Sequence, residues 1–534
     1  MMLRSKAGFP RHHIITRGEK MAQLNIGWSE VNITPDKKVS LYGQFAERIS
    51  EYVEKPLMAT AMAVECGGDQ MVLCACDLES VHDDLIAAIR ENLAGNEYGL
   101  DGNKIIFSAI HTHTGPQHIK PSSGAKNGSF TWIRNVLETF LEPGQKYVEA
   151  ASVSSDPAVA TGEEVFVMLV ERLSKVCIEA WNARKPGGFS NAFARAAVGM
   201  CRRVDYSDGT GQMWGDANTA VFTELEGGND SGIELMYIFD GAGKLTGIVI
   251  NLACPAQCVQ HRLFVSPDFW GETKVLLRKH FGEDIFMLPL CSPAGDQCPV
   301  DLVRWVNPDT DVHDPNLIRH NPPVRKADPS MFDIEGMKKA GKRIAREVID
   351  TYEEGLDEPQ TDVKFEHRHY SMQLPLRRAT LAQKIQAEKN IREYLRNKNG
   401  ADVDFNDLAH LQNDIGILTR FAEQEKKDIY DTEYHCIRMG SVAISSDPFE
   451  LFLDYANQIK ARAVCEQTFL IQLAGGSAGY LPTEKAENHG HYSAFIPSGN
   501  VGHAGGDQLV RQTLKDISEL FGDDYKVYHY ADEQ

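Results

Sequence analysis

Short apolar runs and an amphipathic stretch alternate along the first part of the chain. Runs rich in β-branched and small apolar residues predict buried strands at Asn25–Ile33, Thr60–Cys66, Met71–Asp77 and Lys104–Ile110. Apolar residues at helical spacing predict a helix at Val81–Leu93. A chain that alternates strand and helix in this way is typical of an α/β layer.

The same alternation returns further along the chain. Strand, helix and strand are predicted in turn at Gly247–Leu252, Gly271–Phe281 and Ile285–Leu290. From this order we predict an α/β fold with a large mixed sheet layered with helices. The last quarter of the chain adds predicted elements at Ser441–Ile444 (strand), Pro448–Ala463 (helix), Thr468–Leu473 (strand) and Asp507–Phe521 (helix).

One segment interrupts this pattern. Between Arg377 and Asp431 the residues are charged and helix-favouring, and a break at Asn399-Gly400 predicts two amphipathic helices joined by a turn. We interpret residues 377–431 as a helical-hairpin insertion in one domain at 23–534, preceded by a disordered leader at 1–22. The stretch Trp305–Pro329 is rich in Pro, Asn and Asp and predicts a long irregular loop.

The amino-acid composition makes some classes of binding partner and some cellular settings unfavourable. With 55 basic and 75 acidic residues, the 534-residue chain has a formal charge of −20, which disfavours nucleic acid as a partner. No apolar stretch reaches the roughly 20 residues that cross a bilayer, so we predict no transmembrane segment. Eleven cysteines without a Cys-x-x-Cys pair favour a reducing, cytoplasmic setting, as does a basic N-terminus without an apolar signal core.

A His-x-His pair, His111 and His113, is the best sign of chemistry, and it directly follows the apolar run Ile105–Ser108. Side chains two residues apart on an extended backbone point to the same side, so the two imidazoles can share one site. Gly115-Pro116 then turns the chain, which places the pair at a strand end, a common position for metal ligands in α/β sheets. The pattern also fits two unrelated histidines.

Further candidate residues stand at strand ends and in tight turns. Each also has a structural interpretation, as a helix cap, a buried thiol or a packing group. The candidates are Asp77, Cys254, Cys258, His261, Asp268, Asp296, Cys298, Asp447, Glu450 and Tyr480. Their order along the chain is more informative than any one of them.

Taken together, these segments resemble the N-terminal catalytic domain of the neutral, or alkaline non-lysosomal, ceramidase family over most of residues 24–525. The resemblance implies a ceramidase-like α/β metallohydrolase domain, and we expect no counterpart of the family's C-terminal immunoglobulin-like domain. The matching motifs are Gly27 to Pro35, Gly43, Asp77, His111-Thr112-His113-Thr114-Gly115-Pro116, Gly295-Asp296-x-Cys298-Pro299, Pro448-Phe449-Glu450 and Ala478-Gly479-Tyr480.

The family binds a single zinc ion through two histidines, a glutamate and a tyrosine, so the resemblance implies one Zn²⁺ per chain. By position the ligands are His111, Glu450 and Tyr480. The family's second histidine stands before a proline, and Cys254 occupies that position here. Because thiolate is a competent zinc ligand, Cys254 can bind the metal. Two alternatives stay open: His261 folds back to replace the histidine, or the site has lost its metal.

The resemblance also implies catalytic roles. Cys298 replaces the family's proposed serine nucleophile, two residues after Asp296 in the same tight turn. A zinc-activated water needs no particular residue there, so we favour water as the nucleophile. His113 corresponds to a second family histidine and is expected to transfer a proton or stabilise an oxyanion. Arg203 lies near the family's arginine and is expected to orient a polar substrate group, with a structural arginine as the alternative.

The sequence therefore predicts a zinc-dependent hydrolase that cleaves an amide or related bond in a small amide, lipid or sugar derivative other than ceramide. One alternative is a carbohydrate-active hydrolase with Asp77, Asp268 and Asp296 as acid/base groups. The other is a non-catalytic binding protein on the same fold. The sequence does not distinguish a monomer from a homo-oligomer.

Overall fold

The computed structural model describes residues 21–44, 47–95, 97–119, 131–148, 156–306, 326–328 and 332–522. The α-helices in these ranges are α1 Asp83–Leu93, α2 Thr131–Glu138, α3 Gly162–Asn182, α4 Phe269–Phe281, α5 Asp333–Glu354, α6 Leu381–Asn397, α7 Phe405–Glu423, α8 Leu453–Arg462, α9 Glu484–His489 and α10 His503–Phe521. The strands of the first half are β1 Ala22–Gln23, β2 Asn25–Asn32, β3 Lys38–Leu41, β4 Arg48–Ile49, β5 Tyr52–Val53, β6 Met58–Cys66, β7 Asp69–Cys76, β8 Ile105–Ala109, β9 Val159–Ala160, β10 Lys185–Arg195, β11 Met200–Cys201, β12 Arg203–Tyr206, β13 Gly211–Met213, β14 Phe222–Leu225, β15 Gly232–Asp240 and β16 Leu245–Leu252. Those of the second half are β17 Phe264–Val265, β18 Phe286–Cys291, β19 Gln297–Cys298, β20 Asp301–Val306, β21 Lys326–Asp328, β22 Asp362–Val363, β23 Phe365–Pro375, β24 Ile429–Met439, β25 Val442–Ser446, β26 Glu450–Leu451, β27 Gln467–Ile471 and β28 Tyr480–Leu481.

The largest sheet has eight strands in the order β18-β16-β15-β10-β2-β6-β7-β8. Its outer pairs, β16–β18 and β7–β8, are parallel. The pairs between them are antiparallel. Parallel neighbours need a crossover connection, and α4 and α1 supply it at the two edges. The prediction of a mixed sheet layered with helices is confirmed.

Apolar side chains cover both faces of this sheet. Along β7, Val72 and Cys74 pack with residues of α1 and α3 on one face. Met71 and Leu73, which alternate with them, belong to the core on the opposite face. This period of two follows from the pleat of a strand. Helices α4 and α5 pack on β15 and β16, on the same side of the sheet as α1 and α3.

A second sheet, in the order β23-β24-β25-β27, lies against the first. Its residues Ile437, Ile444 and Phe469 share a core with the inner face of the eight-stranded sheet. Its other face packs against α8 and α10. The described body therefore has four layers: helices, eight strands, four strands and helices.

The two helices predicted within residues 377–431 form as α6 and α7, and the turn between them contains Asn399-Gly400. They pack on each other and on α2 through a separate apolar cluster that includes Ile391 and Leu411. The hairpin leaves and rejoins the second sheet at Pro375 and Ile429, which are direct partners across β23 and β24.

The helix predicted from Pro448 begins five residues later, at Leu453. Glu450 and Leu451 form a short strand instead, because their backbone pairs in parallel with β28. The predicted loop Trp305–Pro329 overlaps the paired strands β20 and β21 at its two ends, and most of it lies outside the described residues.

The predicted leader at 1–22 falls mostly outside the described residues, and its last residue, Ala22, begins β1. Within the described ranges, no helix is both long and apolar enough to cross a bilayer. All eleven cysteines are free thiols, ten of them buried.

Candidate functional site

Three chain segments bring the predicted metal ligands together. His111 and His113 follow the end of β8, Glu450 lies in β26 and Tyr480 lies in β28. Strands β26 and β28 are parallel, and Glu450 and Tyr480 are direct partners in them. Direct partners point to the same face of a sheet, so the carboxylate and the phenol lie side by side.

His111 is buried and lies between two other polar groups. Its Nδ1 donates a hydrogen bond to the backbone carbonyl of Glu79 at 2.8 Å, which directs Nε2 into the site. That Nε2 lies 3.4 Å from Glu450 Oε2 and 3.4 Å from Nε2 of His113. The two imidazoles do meet, but the predicted extended backbone is wrong, because both histidines lie beyond the end of β8 and His111 has a φ of 66°.

The pKa values of the two imidazoles are shifted in opposite directions. Burial works against a charge on His111, but the carboxylates of Glu450 and Glu79 outweigh it and raise the pKa of His111 to about 9. Burial also lowers the pKa of His113 well below its usual range, and the charges of His111, Arg48 and Arg202 act in the same direction. Both effects favour the neutral form of His113.

His113 is held in place by a glycine and a glutamine. A Cβ on Gly43, whose φ is 94°, would lie 2.5 Å from Cγ of the His113 ring, so only glycine allows this close approach. Gln257 Nε2 lies 2.9 Å from His113 Nε2, and Gln257 Oε1 accepts a hydrogen bond from Arg202 at 3.2 Å. Gln257 thus links the neutral imidazole to a buried cation.

Arg202 closes the site on the side of the phenol. Its Nη2 donates to the carbonyl of Gly295 at 2.9 Å and to the Tyr480 hydroxyl at 3.3 Å, and it lies 3.9 Å from Glu450 Oε2. Burial, and then the charge of Glu450, raise the pKa of Tyr480 well above its usual range. The Tyr480 ring also meets Tyr492 edge-on, with centroids 5.6 Å apart.

Arg203, the arginine singled out from the sequence, points elsewhere. It is fully buried and forms a two-pronged ion pair with Glu226. Its Nη1 and Nη2 donate to the backbone carbonyls of Tyr492 and Gly490, both at 2.7 Å. Arg203 thus holds the turn that carries Tyr492, whereas its neighbour Arg202 contacts the predicted ligands.

The donor atoms around His111 fit a metal ion in type and spacing. Two ligands of one tetrahedral Zn²⁺, each about 2.0–2.1 Å from the metal, lie about 3.3 Å apart. His111 Nε2 lies 3.4 Å from Glu450 Oε2, and Tyr480 is the direct strand partner of Glu450. Glu79, His111 and His113 also offer ligand atoms within 4.8 Å of one another. Imidazole and carboxylate are ligands that zinc accepts.

Cys254 and His261, the two predicted substitutes for the family's second histidine, each make contacts with neighbouring residues. Cys254 is fully buried, and its Sγ donates to the carbonyl of Pro255 at 3.5 Å. Burial raises the pKa of the Cys254 thiol well above its usual range. His261 stacks on Phe332, with centroids 5.1 Å apart, and lies 3.6 Å from Asp333 at the start of α5.

Cys298 and Asp296 lie in a buried turn. Cys298 pairs with Met200 across β11 and β19, and its Sγ donates to the carbonyl of Val300 at 3.4 Å. Asp296 accepts a hydrogen bond at 2.9 Å from the backbone of Leu453, the first residue of α8. Burial raises the pKa of Asp296. The carboxylate thus stabilises the helix that directly follows β26.

The other candidate acids also bind backbone amides. Asp77 accepts from the Met58 amide at 2.8 Å and lies 3.2 Å from Lys274 Nζ. Asp268 accepts from the amides of Val259 and Phe269 and caps α4. Asp447 accepts from the Phe449 amide at 3.1 Å, and Cys258 lies in the core beside α4.

Sequence reasoning missed Arg202 and Gln257. Arg202 and Arg203 are adjacent and identical in type, so nothing in the local sequence tells which one reaches the site. Gln257 follows the segment at Cys254 closely enough to have been a candidate, since an amide is a common partner of a catalytic imidazole. The carbonyl of Glu79 carries no sequence signal, because every residue has one.

Comparison with known proteins supports the fold. No protein-family model matches the chain, and no curated protein matches it. Among solved structures, the chain is similar to the neutral ceramidase from Pseudomonas aeruginosa, with a TM-score of 0.61 and 15% identity over 95% of this chain and 76% of the other. It is also similar to a ceramidase complexed with C2, with a TM-score of 0.60 and 13% identity over 93% and 75%. The predicted ceramidase-like fold is confirmed.

Proposed function

We propose that this protein is a metal-dependent hydrolase that cleaves an amide or related acyl bond in a small molecule other than ceramide. The observation that supports the proposal most strongly is the position of His111 Nε2, 3.4 Å from a carboxylate oxygen of Glu450, whose direct strand partner is Tyr480. The likeness of the fold to neutral ceramidase structures supports the reaction class. The cysteines at positions 254 and 298 argue for a different substrate.

His111, Glu450 and Tyr480 are the proposed zinc ligands. Catalytic zinc sites keep three protein ligands and one open position, so these three are sufficient without Cys254 or His261. A bound Zn²⁺ would supply Lewis acidity and lower the pKa of water at the open position. The carbonyl of Glu79 holds the His111 ring in the orientation that a ligand needs.

The remaining residues supply proton transfer and charge stabilisation. His113 is the proposed proton-transfer group, which would take a proton from the attacking water and pass it to the leaving amine nitrogen. Gln257 orients its ring. Arg202 lies beside the ligands and stabilises negative charge that develops on the carbonyl oxygen of the substrate. Cys298 is not needed as a nucleophile in this scheme.

Two measurements test the proposal. Elemental analysis of the purified chain should find zinc, and Glu450→Ala should contain one equivalent less. A panel of N-acyl amides, esters and glycosides should then give amide or ester cleavage that is lost in the same variant and in His113→Ala. Cleavage of glycosides alone, or amide cleavage that survives Glu450→Ala in full, would overturn the proposal.

A further inference from the structure

A second group of metal-ligating side chains lies on the four-stranded sheet. His369 in β23 is the direct partner of His435 in β24, and Glu433 stands two residues from His435 on the same strand. Residues two apart on a strand, and direct partners across strands, share one face of the sheet. The ligand atoms of these three residues lie within 4.8 Å of one another.

A chain of hydrogen bonds fixes a hydrogen on Nδ1 of His435. The carbonyl of Gln70 can only accept, so His367 Nδ1, 2.9 Å away, must donate to it. The Nε2 atom of a neutral His367 is then an acceptor, and His435 Nδ1, also 2.9 Å away, must donate to it. In a neutral His435 this leaves Nε2 with a lone pair and no hydrogen.

This Nε2 atom faces the carboxylate of Glu433. His435 Nε2 lies 2.7 Å from Oε1 of Glu433, and Nε2 of His369 lies 3.9 Å from the same oxygen. Without an ion, a second proton on His435 and the guanidinium of Arg90 balance the charge of this carboxylate, and a divalent ion would take the place of that proton. From this arrangement we infer that His369, Glu433 and His435 form a second binding site for a divalent transition-metal ion.

The surroundings of the cluster resemble those of metal ligands. The hydrogen bond from His435 Nδ1 to His367 orients the ring, as second partners of metal-bound histidines do. Arg90 pairs with both oxygens of Glu433, its Nη1 at 2.6 Å from Oε2, and fixes the direction of the carboxylate. His369 and Glu433 are partly exposed, with 24% and 16% of their side chains accessible, so an ion can enter from solvent.

Two imidazoles and one carboxylate select for Zn²⁺ and similar first-row ions over Mg²⁺ or Ca²⁺, which prefer oxygen ligands. The ion would join β23 to β24 and, through Arg90, to α1 of the outer helical layer. This site shares no residue with the site at His111, so it stands independently of the proposed function.

Cobalt titration of the metal-stripped full-length chain tests the inference. The starting variant carries His111→Ala and Glu450→Ala, which disable the first site. It should still bind about one equivalent of Co²⁺, with the visible absorption of nitrogen-coordinated cobalt. Adding His369→Asn should abolish this binding, whereas the control His280→Asn should not, because His280 is an exposed histidine outside the cluster.

The outcomes are separate from those of the proposed function. If the starting variant binds no cobalt, or if binding survives both His369→Asn and His435→Asn, the inference is wrong. His435 then carries a proton itself and forms an ion pair with Glu433. Because His369 is partly exposed and lies at the edge of the cluster, its variant should fold, which circular dichroism verifies. Loss of the first site alone leaves this result unaffected.

Discussion

At the scale of single residues, Glu450 combines a backbone role with a side-chain role. Its backbone pairs with Tyr480, which any residue can do, and its carboxylate supplies the charge beside His111. We therefore expect Glu450→Ala to lose the zinc equivalent at the first site without unfolding. Zinc analysis and a thermal melt measure the two effects. Glu393→Ala, on the exposed face of α6, is the control, and full zinc occupancy in Glu450→Ala would show that Glu450 is not a ligand.

A substitution at Cys254 distinguishes a zinc site with three ligands from one in which the thiolate is an additional ligand. If His111, Glu450 and Tyr480 are sufficient, Cys254→Ala should keep its zinc and lose about 1 kcal/mol of stability from the buried sulfur. The measurement is zinc affinity by competition with a chelator, together with a denaturant titration. A tenfold or larger loss of affinity would identify the thiolate as a ligand.

Asp268 should make the stability of the protein depend on pH. Burial raises the pKa of Asp268 to about 6 in the folded protein, against about 3.9 in the unfolded chain. The folded state therefore binds the proton more tightly, and the stabilisation it gives below pH 4 is lost as the pH rises through 6.

The size of this effect is about 3 kcal/mol, since each pKa unit corresponds to about 1.4 kcal/mol. The measurement is the unfolding free energy of the wild type and of Asp268→Asn, by urea titration between pH 4 and pH 7. The difference, wild type minus variant, should fall by about that amount as the pH rises. A difference that stays flat across this range would contradict the expectation.

At the scale of elements, the turn before β19 determines where β26 lies. A Cβ on Gly295 would lie 2.2 Å from the carbonyl oxygen of Glu450 and 2.8 Å from its carbon. Gly295→Ala must therefore displace the strand that carries Glu450. We expect a loss of zinc affinity of tenfold or more, measured by chelator competition.

The matched control is Gly228→Ala, because the nearest atom to a Cβ there is Nδ2 of Asn457 at an ordinary 3.8 Å. Equal zinc affinity in Gly295→Ala and Gly228→Ala would mean that β26 has room to move without affecting its carboxylate.

Elements with strong local patterns were predictable, and those that depend on distant pairing were not. The helix Asp83–Leu93 and the strand Ile105–Ala109 follow from apolar spacing alone. The short strand at Glu450 exists because Tyr480, thirty positions further on, supplies its partner. Its sequence favours the start of a helix, and tertiary pairing overrides that preference.

In the candidate site, too, some residues were predictable from the sequence and others were not. His111, Glu450 and Tyr480 were predicted by position and do come together, because motif order preserves the topology. Arg202 and Arg203 are the same residue type. They differ only in the direction in which the backbone points each side chain. That direction is set by the pairing of β11 with β19 and of β12 with β13, which no local pattern reveals.

At the scale of the whole molecule, the α6–α7 hairpin has its own apolar cluster, separate from the four layers. The amide of Ala379 donates to Gln424 Oε1 at 2.7 Å, so the two ends of the hairpin are adjacent. We expect that replacing residues 381–423 by a short Gly/Ser linker leaves a chain that folds and unfolds cooperatively.

Near-ultraviolet circular dichroism and a thermal melt check that the rest of the chain folds, and a smaller helical signal in the far-ultraviolet shows that the hairpin is gone. Arg420 also donates to the carbonyls of Gly499 and Arg377, so some loss of stability accompanies the deletion. A soluble but non-cooperative product would mean that the hairpin is part of the folding unit.

The adjacent arginines restrict which insertions and deletions this chain can accept during evolution. Arg202 contacts the carboxylate–phenol pair, and Arg203 fixes the turn that carries Tyr492, one residue apart along the backbone. Inserting or deleting a single residue between Cys201 and Val204 would exchange the two directions and impair both tasks at once. A protein that keeps both contacts must therefore keep the spacing of this stretch, whatever residues flank it.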